Sequence, residues 1–508
     1  MIRPYPLPLQ RPTPAPSAIV TLLATGGIAM LSTGCLRNPP PVAGVRSTAP
    51  SPSQFWTPPS KAIAPPTPTA AGATPPTVPA DLESKLQQLQ LADVVDLALR
   101  NNPATRITWE NARATAAAYG SERGGYLPTL SFDGTATRSH TVGSATRFGG
   151  ERTQYQPTVT LSYLLFDFGG RSNSVDAARE AVYAANLTHN ATVQDVVLQV
   201  ASAYFTYIAT GALRDAQQST VQEANANVKA AQQRHDVGLA TIADVLQAKT
   251  ALAEAQLALE TTQGNLQAAR GALAVAMGLP ANTPYDIARP EHVIPIRHIA
   301  ESVDSLIDQA VSTRPDLQAA RAQVQQSLAQ VRVSKSLSMP ALMLSGNAGR
   351  TFSSENAFSG NSYALTLGLS FPIFTGFSRS YDIMNAEAQA EAARASAASL
   401  RQQVIDQVFT SYYALQTATQ RVTTADALLA SAEQSEQVAR GRYTEGVGSI
   451  LDLLTAQSAL ANARAQQVQA RWVWSTALAQ LAHDTGILGL HGEAPLRFST
   501  DSTERHQQ

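Results

Sequence analysis

Two stretches of this 508-residue chain repeat one another in register: RHDVGLATIADVLQAKTAL from Arg234 to Leu252, and RYTEGVGSILDLLTAQSAL from Arg442 to Leu460. Arg234 answers Arg442, Gly238 answers Gly446, Asp244 answers Asp452 and Leu246 answers Leu454. Each stretch interrupts a proline-free run in which alanines and larger apolar residues recur at three- and four-residue steps, the period of a helix. Glycine permits the positive-φ backbone that reverses a helical hairpin. The chain therefore predicts two long helical hairpins, with tips at about 234–246 and 442–454. From Ser172 to the first tip, one helix would span about 100 Å at ~1.5 Å per residue. That length calls for coiled-coil packing, and Val408, Leu415, Ala418, Val422, Ala425, Leu429 and Ala432 fit its seam.

The duplication reaches beyond the tips. Asn102-Pro103 and Arg314-Pro315 each punctuate a short helix from a longer one, and Leu127-Pro128 and Met339-Pro340 each precede a change of period from helical to two. In the first half Leu130, Phe132, Gly134 and Ala136 alternate with Thr129, Ser131, Asp133, Thr135 and Thr137. Val159, Leu161, Tyr163 and Leu165 then alternate with Thr158, Thr160 and Ser162. In the second half Leu342, Leu344, Gly346 and Ala348 share one face, as do Tyr363, Leu365, Leu367, Leu369 and Phe371. The strand-to-helix turns LFDFGGR and IFTGFSR answer each other. Strands of about 10 residues with one apolar and one polar face suit a membrane barrel, but single-chain barrels start at about eight strands. An open edge inside a bilayer leaves backbone groups unpaired. Four strands thus belong either to a soluble sheet or to a barrel pooled from several copies. The Thr, Ser, Asp and Asn faces favour a water-filled lumen.

Charge narrows the alternatives: charged residues make up 15% of the chain, the net charge is -1, and no clustered basic face points to nucleic acid. The eight histidines lack metal-ligand spacing, and HExxH, P-loop, GxSxG and CxxC patterns do not occur. No feature therefore argues for an enzyme, a metal or a cofactor. Arg3 and Arg11 precede an apolar run from Ala18 to Leu31 and then LSTGC, ending at Cys35, the single cysteine. This order describes an export signal. Cys35 is then either a lipid-attachment residue or an incidental thiol behind an ordinary signal peptide. From Pro39 to Pro79 the proline-, serine- and threonine-rich sequence reads as an extended strap.

In their duplicated order these motifs resemble the TolC-like outer-membrane efflux proteins, in the lipoprotein-anchored branch, from about Leu91 to Leu481. The resemblance implies a mixed α+β membrane protein. It would be a homotrimer, with four strands per subunit forming one twelve-stranded outer-membrane barrel continuous with a periplasmic α-helical coiled-coil barrel. The implied organisation is a lipoprotein signal peptide (1–34), a lipid-anchored strap (35–85), a first repeat (86–285, β-hairpin about 128–166), a second repeat (286–486, β-hairpin about 340–373) and a tail (487–508). Cleavage before Cys35 and its acylation, with palmitate among the lipids, follow the lipoprotein pattern. The tips Arg234, Gly238, Asp244, Arg442, Gly446 and Asp452 would dock a periplasmic adaptor that joins the duct to an inner-membrane efflux transporter. For these residues plain helix-turn geometry is the competing reading, and the arginines could instead tie tips to neighbouring helices. Asp452 matches an entrance carboxylate whose three copies would form a cation-favouring ring. A second such position falls on Thr455, so only one ring would be acidic. The implied function is passive efflux of small molecules through the outer membrane. A protein-secretion duct is the alternative within the same fold, and a lipid-anchored periplasmic coiled-coil scaffold is the alternative of another class.

Overall fold

The computed structural model describes residues 88–142, 150–288, 301–354 and 359–488, all within one compact unit from Pro76 to Gln508. The expected signal peptide, Cys35, the strap and the tail beyond Leu488 lie outside the described residues. The first repeat runs α1 (Leu91–Asn101), α2 (Pro103–Gly124), β1 (Thr129–Thr141), β2 (Gly150–Phe166), α3 (Gly170–Asp236) and α4 (Ile242–Ala276). The second runs α5 (Val303–Thr313), α6 (Pro315–Ser336), β3 (Ala341–Ser353), β4 (Gly360–Ser370), α7 (Ser378–Thr444) and α8 (Ile450–Asp484). Matching helices have identical lengths: 11 residues in α1 and α5, 22 in α2 and α6, 67 in α3 and α7, and 35 in α4 and α8. The duplication read from the tips is thus carried by whole elements. Pro103 and Pro315 each open a helix at its first position, where a missing N–H costs nothing.

The four strands form one antiparallel sheet in the order β1-β2-β3-β4. Its register aligns the apolar residues row by row. Leu130 lies opposite Leu161, Leu161 opposite Gly346, and Gly346 opposite Leu365, while Phe132, Val159, Ala348 and Tyr363 make the next row. The other face carries the row Thr129, Ser162, Ser345 and Thr366. Every strand therefore turns its apolar side the same way, and that side is bare in the single subunit, with Leu365 74% exposed. The edges of β1 and β4 have no partner strand among the described residues. The expected alternation fails at one place: a bulge between Leu164 and Phe166 brings Phe166, rather than Leu165, opposite Leu342. An extra residue in one strand of a pair shifts every later side chain by one. Phe371 also falls beyond the end of β4.

Each sheet-to-helix turn contains two successive left-handed residues, one glycine and one phenylalanine, in swapped order: Phe168 and Gly169, then Gly376 and Phe377. Such a conformation is uncommon for a bulky residue. The Phe168 ring packs edge-on to Phe166 at 4.8 Å, and Phe377 packs on Phe374 at 5.5 Å.

The helices share two main cores. Leu89, Val94, Leu97, Val200, Tyr204 and Met277 bind α1 to α3 and α4, and Leu306, Val404, Val408, Leu415, Trp474 and Leu481 repeat the arrangement in the second half. The expected seam on α7 is buried at Val408, Leu415, Ala418, Val422, Ala425 and Ala432, and Leu429 packs against it. By length and composition alone, α3 could cross a bilayer. Its Val196, Val200 and Tyr204 instead pack within the subunit.

Candidate functional site

Both hairpins reverse through the same hydrogen-bonded loop. At the first tip Leu239 N donates to Arg234 O at 2.7 Å and Gly238 N to His235 O at 2.9 Å; at the second, Val447 N donates to Arg442 O at 3.0 Å and Gly446 N to Tyr443 O at 3.2 Å. These are Schellman-type helix ends, and they require a left-handed residue just past the helix. Gly238 (φ +79°) and Gly446 (φ +77°) supply it.

The return helices begin with reciprocal capping boxes. Asp244 N donates to Thr241 Oγ1 at 3.3 Å while Asp244 Oδ2 accepts from Thr241 N at 2.8 Å. Asp452 N donates to Ser449 Oγ at 3.1 Å while Asp452 Oδ2 accepts from Ser449 N at 3.4 Å. Each aspartate thus satisfies helix-end donors that would otherwise be orphaned. This part of the tip pattern is helix-start chemistry. Asp452 and Thr455 are both exposed, three residues apart and so on neighbouring positions of one helix surface. Thr455 Oγ1 also donates back to Leu451 O at 2.7 Å.

The structure separates the two arginines. Arg234 crosses to the second tip, where Nη1 donates to Tyr443 O at 2.7 Å and the guanidinium lies 4.9 Å from the centre of the Tyr443 ring. Arg442 is exposed and, among the described residues, makes no side-chain hydrogen bond or ion pair. Tyr443 is the functional candidate that sequence reasoning passed over. It is 7% exposed and packs with Ala231, Val245, Ala248, Ile450 and Leu453 from both hairpins. Among the described residues its hydroxyl is buried without a hydrogen-bond partner; burial raises its pKa, with Arg234 opposing the rise and Asp244 adding to it. A signal existed: the aligned position in the other tip is His235, whose ring meets the Ala240 carbonyl of its own loop at 3.0 Å.

Behind the tips an open groove of about 910 Å³ lies between the hairpins. Its walls are tied by polar contacts. Arg464 makes a two-pronged contact with Glu223 at 3.2 Å, and Arg440 pairs with the buried Glu436 at 2.6 Å. Gln457 links Glu436 to Asn227 on α3. The arrangement can hold two hairpins in one relative position and can release them if these contacts are replaced.

A family model described as outer membrane efflux protein matches residues 94–279 and 306–486. Protein CyaE of Bordetella pertussis is 31% identical over 427 residues, covering 82% of this chain and 88% of the relative. The probable efflux pump outer membrane protein TtgC of Pseudomonas putida is 25% identical over 380 residues, covering 74% and 78%. Among solved structures, the outer membrane protein VceC of Vibrio cholerae superimposes with a TM-score of 0.70 at 23% identity, over 78% of this chain and 96% of that one. This chain belongs to the outer membrane efflux protein family and is an outer-membrane channel with a periplasmic helical portion.

Proposed function

We propose that three copies of this chain form the exit duct of a tripartite efflux system. The observation that carries the reading is a four-stranded sheet with one bare apolar face and two open edges, continued by two matched hairpins built on 67-residue helices. Three such sheets supply twelve strands, enough to close a barrel with apolar side chains toward lipid and the Thr–Ser rows toward water. Lipid attachment at Cys35 and the strap from 35 to 85 hold the subunit to the membrane. Substrate moves passively, driven by an inner-membrane transporter and received through a periplasmic adaptor.

The adaptor docks at the tips. Around Gly238 and Gly446 lie Val237, Leu239, Val447 and Leu451, all exposed, with the free guanidinium of Arg442 beside them. Docking removes these exposed apolar side chains from water, at about 25 cal/mol per Å² buried, and arginine is among the residue types enriched where interface binding energy concentrates. Three copies of Asp452 facing the axis form the entrance ring, and Thr455 one turn further adds a neutral one. The Arg234–Tyr443 tie keeps the hairpins together until docking spreads them.

The reading is tested in a bacterium whose copy of this chain has been deleted, loaded with a fluorescent pump substrate. Retention of the dye, reversed by the intact chain and not by one carrying Leu239→Asp and Val447→Asp, is the expected result. Unchanged dye loss accompanied by failure to secrete a protein would replace small-molecule efflux by protein secretion.

A further inference from the structure

The two repeats match element for element, yet their flanks are not equally covered. Helix α6 packs against both α3 and α7, whereas its counterpart α2 packs against α3 on one flank. Pro103 aligns with Pro315, so Ile107 takes the place of Ala319 and Gly124 that of Ser336. Ala319 is 4% exposed and Ser336 is buried, while Ile107 is 59% exposed and a Cβ on Gly124 would meet nothing within 4 Å. The counterpart of α3 is bare in the same way: Ala177 and Ala184 are buried, and the aligned Asn385 and Ala392 of α7 are exposed. The uncovered flanks, one on α2 and one on α7, are those that would make a second α6–α3 seam. The open sheet edges follow the same order, since β2 pairs with β3 inside the chain and leaves β4 and β1 free.

We infer that α2 of one copy packs on α7 of the next in the geometry of the α6–α3 seam, and that two ion pairs exchange partners there. This rests on the trimeric reading and adds its contact residues. In the internal seam Ala322 and Gln325 of α6 line one groove with Tyr183 and Asn186 of α3. The aligned residues are Glu110 and Arg113 on α2, and Glu391 and Arg394 on α7. Among the described residues of one subunit each pair closes along its own helix, Arg113 to Glu110 at 2.9 Å and Arg394 to Glu391, and all four side chains are about half exposed. Ser336, at the end of α6, lies by Gly170, at the start of α3, so the seam is antiparallel. Glu110 therefore meets Arg394 and Arg113 meets Glu391: opposite signs face each other at both positions. Between copies these become four-membered charge clusters at the outer rim of the seam, because Tyr183 at the matching internal position stays 51% exposed, so salt weakens them.

The test uses the full chain, whose single cysteine is Cys35. Ser336 Oγ lies 3.1 Å from the place of a Cβ on Gly170, a separation compatible with a disulfide. The aligned pair is Gly124 and Ser378. The variant Gly124→Cys/Ser378→Cys is expected to give disulfide-linked species ending at three chains in non-reducing gels, with neither single variant doing so. Its mass in detergent is measured in parallel. A trimer that stays unlinked would overturn this seam and leave the duct reading standing, whereas a monomer would overturn both. As an arm independent of the cysteines, Glu391→Arg is expected to lower the yield of heat-resistant trimer several-fold, and adding Arg113→Glu should restore it by placing two glutamates against two arginines. No loss, or loss without rescue, would contradict the exchange.

Discussion

Arg234 and Arg442 occupy matching places in the two tips, yet only Arg234 holds the hairpins together, through the carbonyl and ring of Tyr443. Arg234→Ala is predicted to loosen the tips and raise the open-channel current, while Arg442→Ala leaves the current of the isolated channel unchanged. Single-channel recordings of the two variants check this, and equal effects would contradict the assignment. Asp452 shows how a motif read for one role can have a second: its carboxylate completes a capping box from the N3 position, so replacing it with alanine costs about 0.3–1 kcal/mol at the helix start as well as a charge. Asparagine removes the charge and keeps an acceptor.

His483 joins the repeats, with Nδ1 3.0 Å from Asp484 Oδ1 and Nε2 2.9 Å from Asp195 Oδ1 on α3. Burial pulls its pKa down, but the hydrogen bonds and charges of the two aspartates outweigh burial and hold it above the ordinary imidazole value. Asp316, ion-paired to Arg314 at 2.6 Å, lies close enough for His483 to help hold its carboxyl below the usual range. A raised folded-state pKa means that the stabilisation is complete below the unfolded value of about 6.5 and is lost as pH rises through the folded value. The end of α8 should therefore exchange its amide hydrogens faster, after correction for intrinsic rates, at pH 8 than at pH 6. His483→Gln should flatten that difference; an unchanged pH dependence in the variant would remove His483 as its source.

At the scale of elements, the helices were legible because glycine, proline and the helical period agree over long runs. Asn102-Pro103 and Arg314-Pro315 mark helix starts by steric exclusion, and the α7 seam from Val408 to Ala432 follows from spacing. The bulge at Leu165 was not legible, because an inserted residue is decided by pairing with β3 and leaves no local mark. Tyr443 was missed for a related reason: its neighbours Ala231, Val245 and Ala248 come from the other repeat. The loops themselves give a sharp prediction. Gly446→Ala places a Cβ at φ +77°, where left-handed backbone costs about 1–2 kcal/mol. Thermal unfolding should show that loss in the variant, and Gly441→Ala, within α7 where a Cβ meets nothing within 4 Å, should show none or a small gain. Equal losses at both sites would mean that the tip conformation is not what glycine provides.

At the scale of the molecule, the duplicated order of motifs already implied a channel family, and the equal helix lengths give that duplication a physical form. What the sequence could not display is the asymmetry between the repeats: one arginine tied and one free, one helix flank covered and one bare. The proposed passive tunnel, closed at its tips, would tie these features together. Single-channel conductance of the purified chain in a planar bilayer, beside Asp452→Asn, tests that claim most directly. The account predicts a small, cation-favouring conductance from a trimer, with selectivity reduced in the variant while the trimer stays intact. A trimer whose conductance is equally selective with and without the aspartate charge would contradict the entrance ring, and a monomer with no conductance would contradict the duct itself.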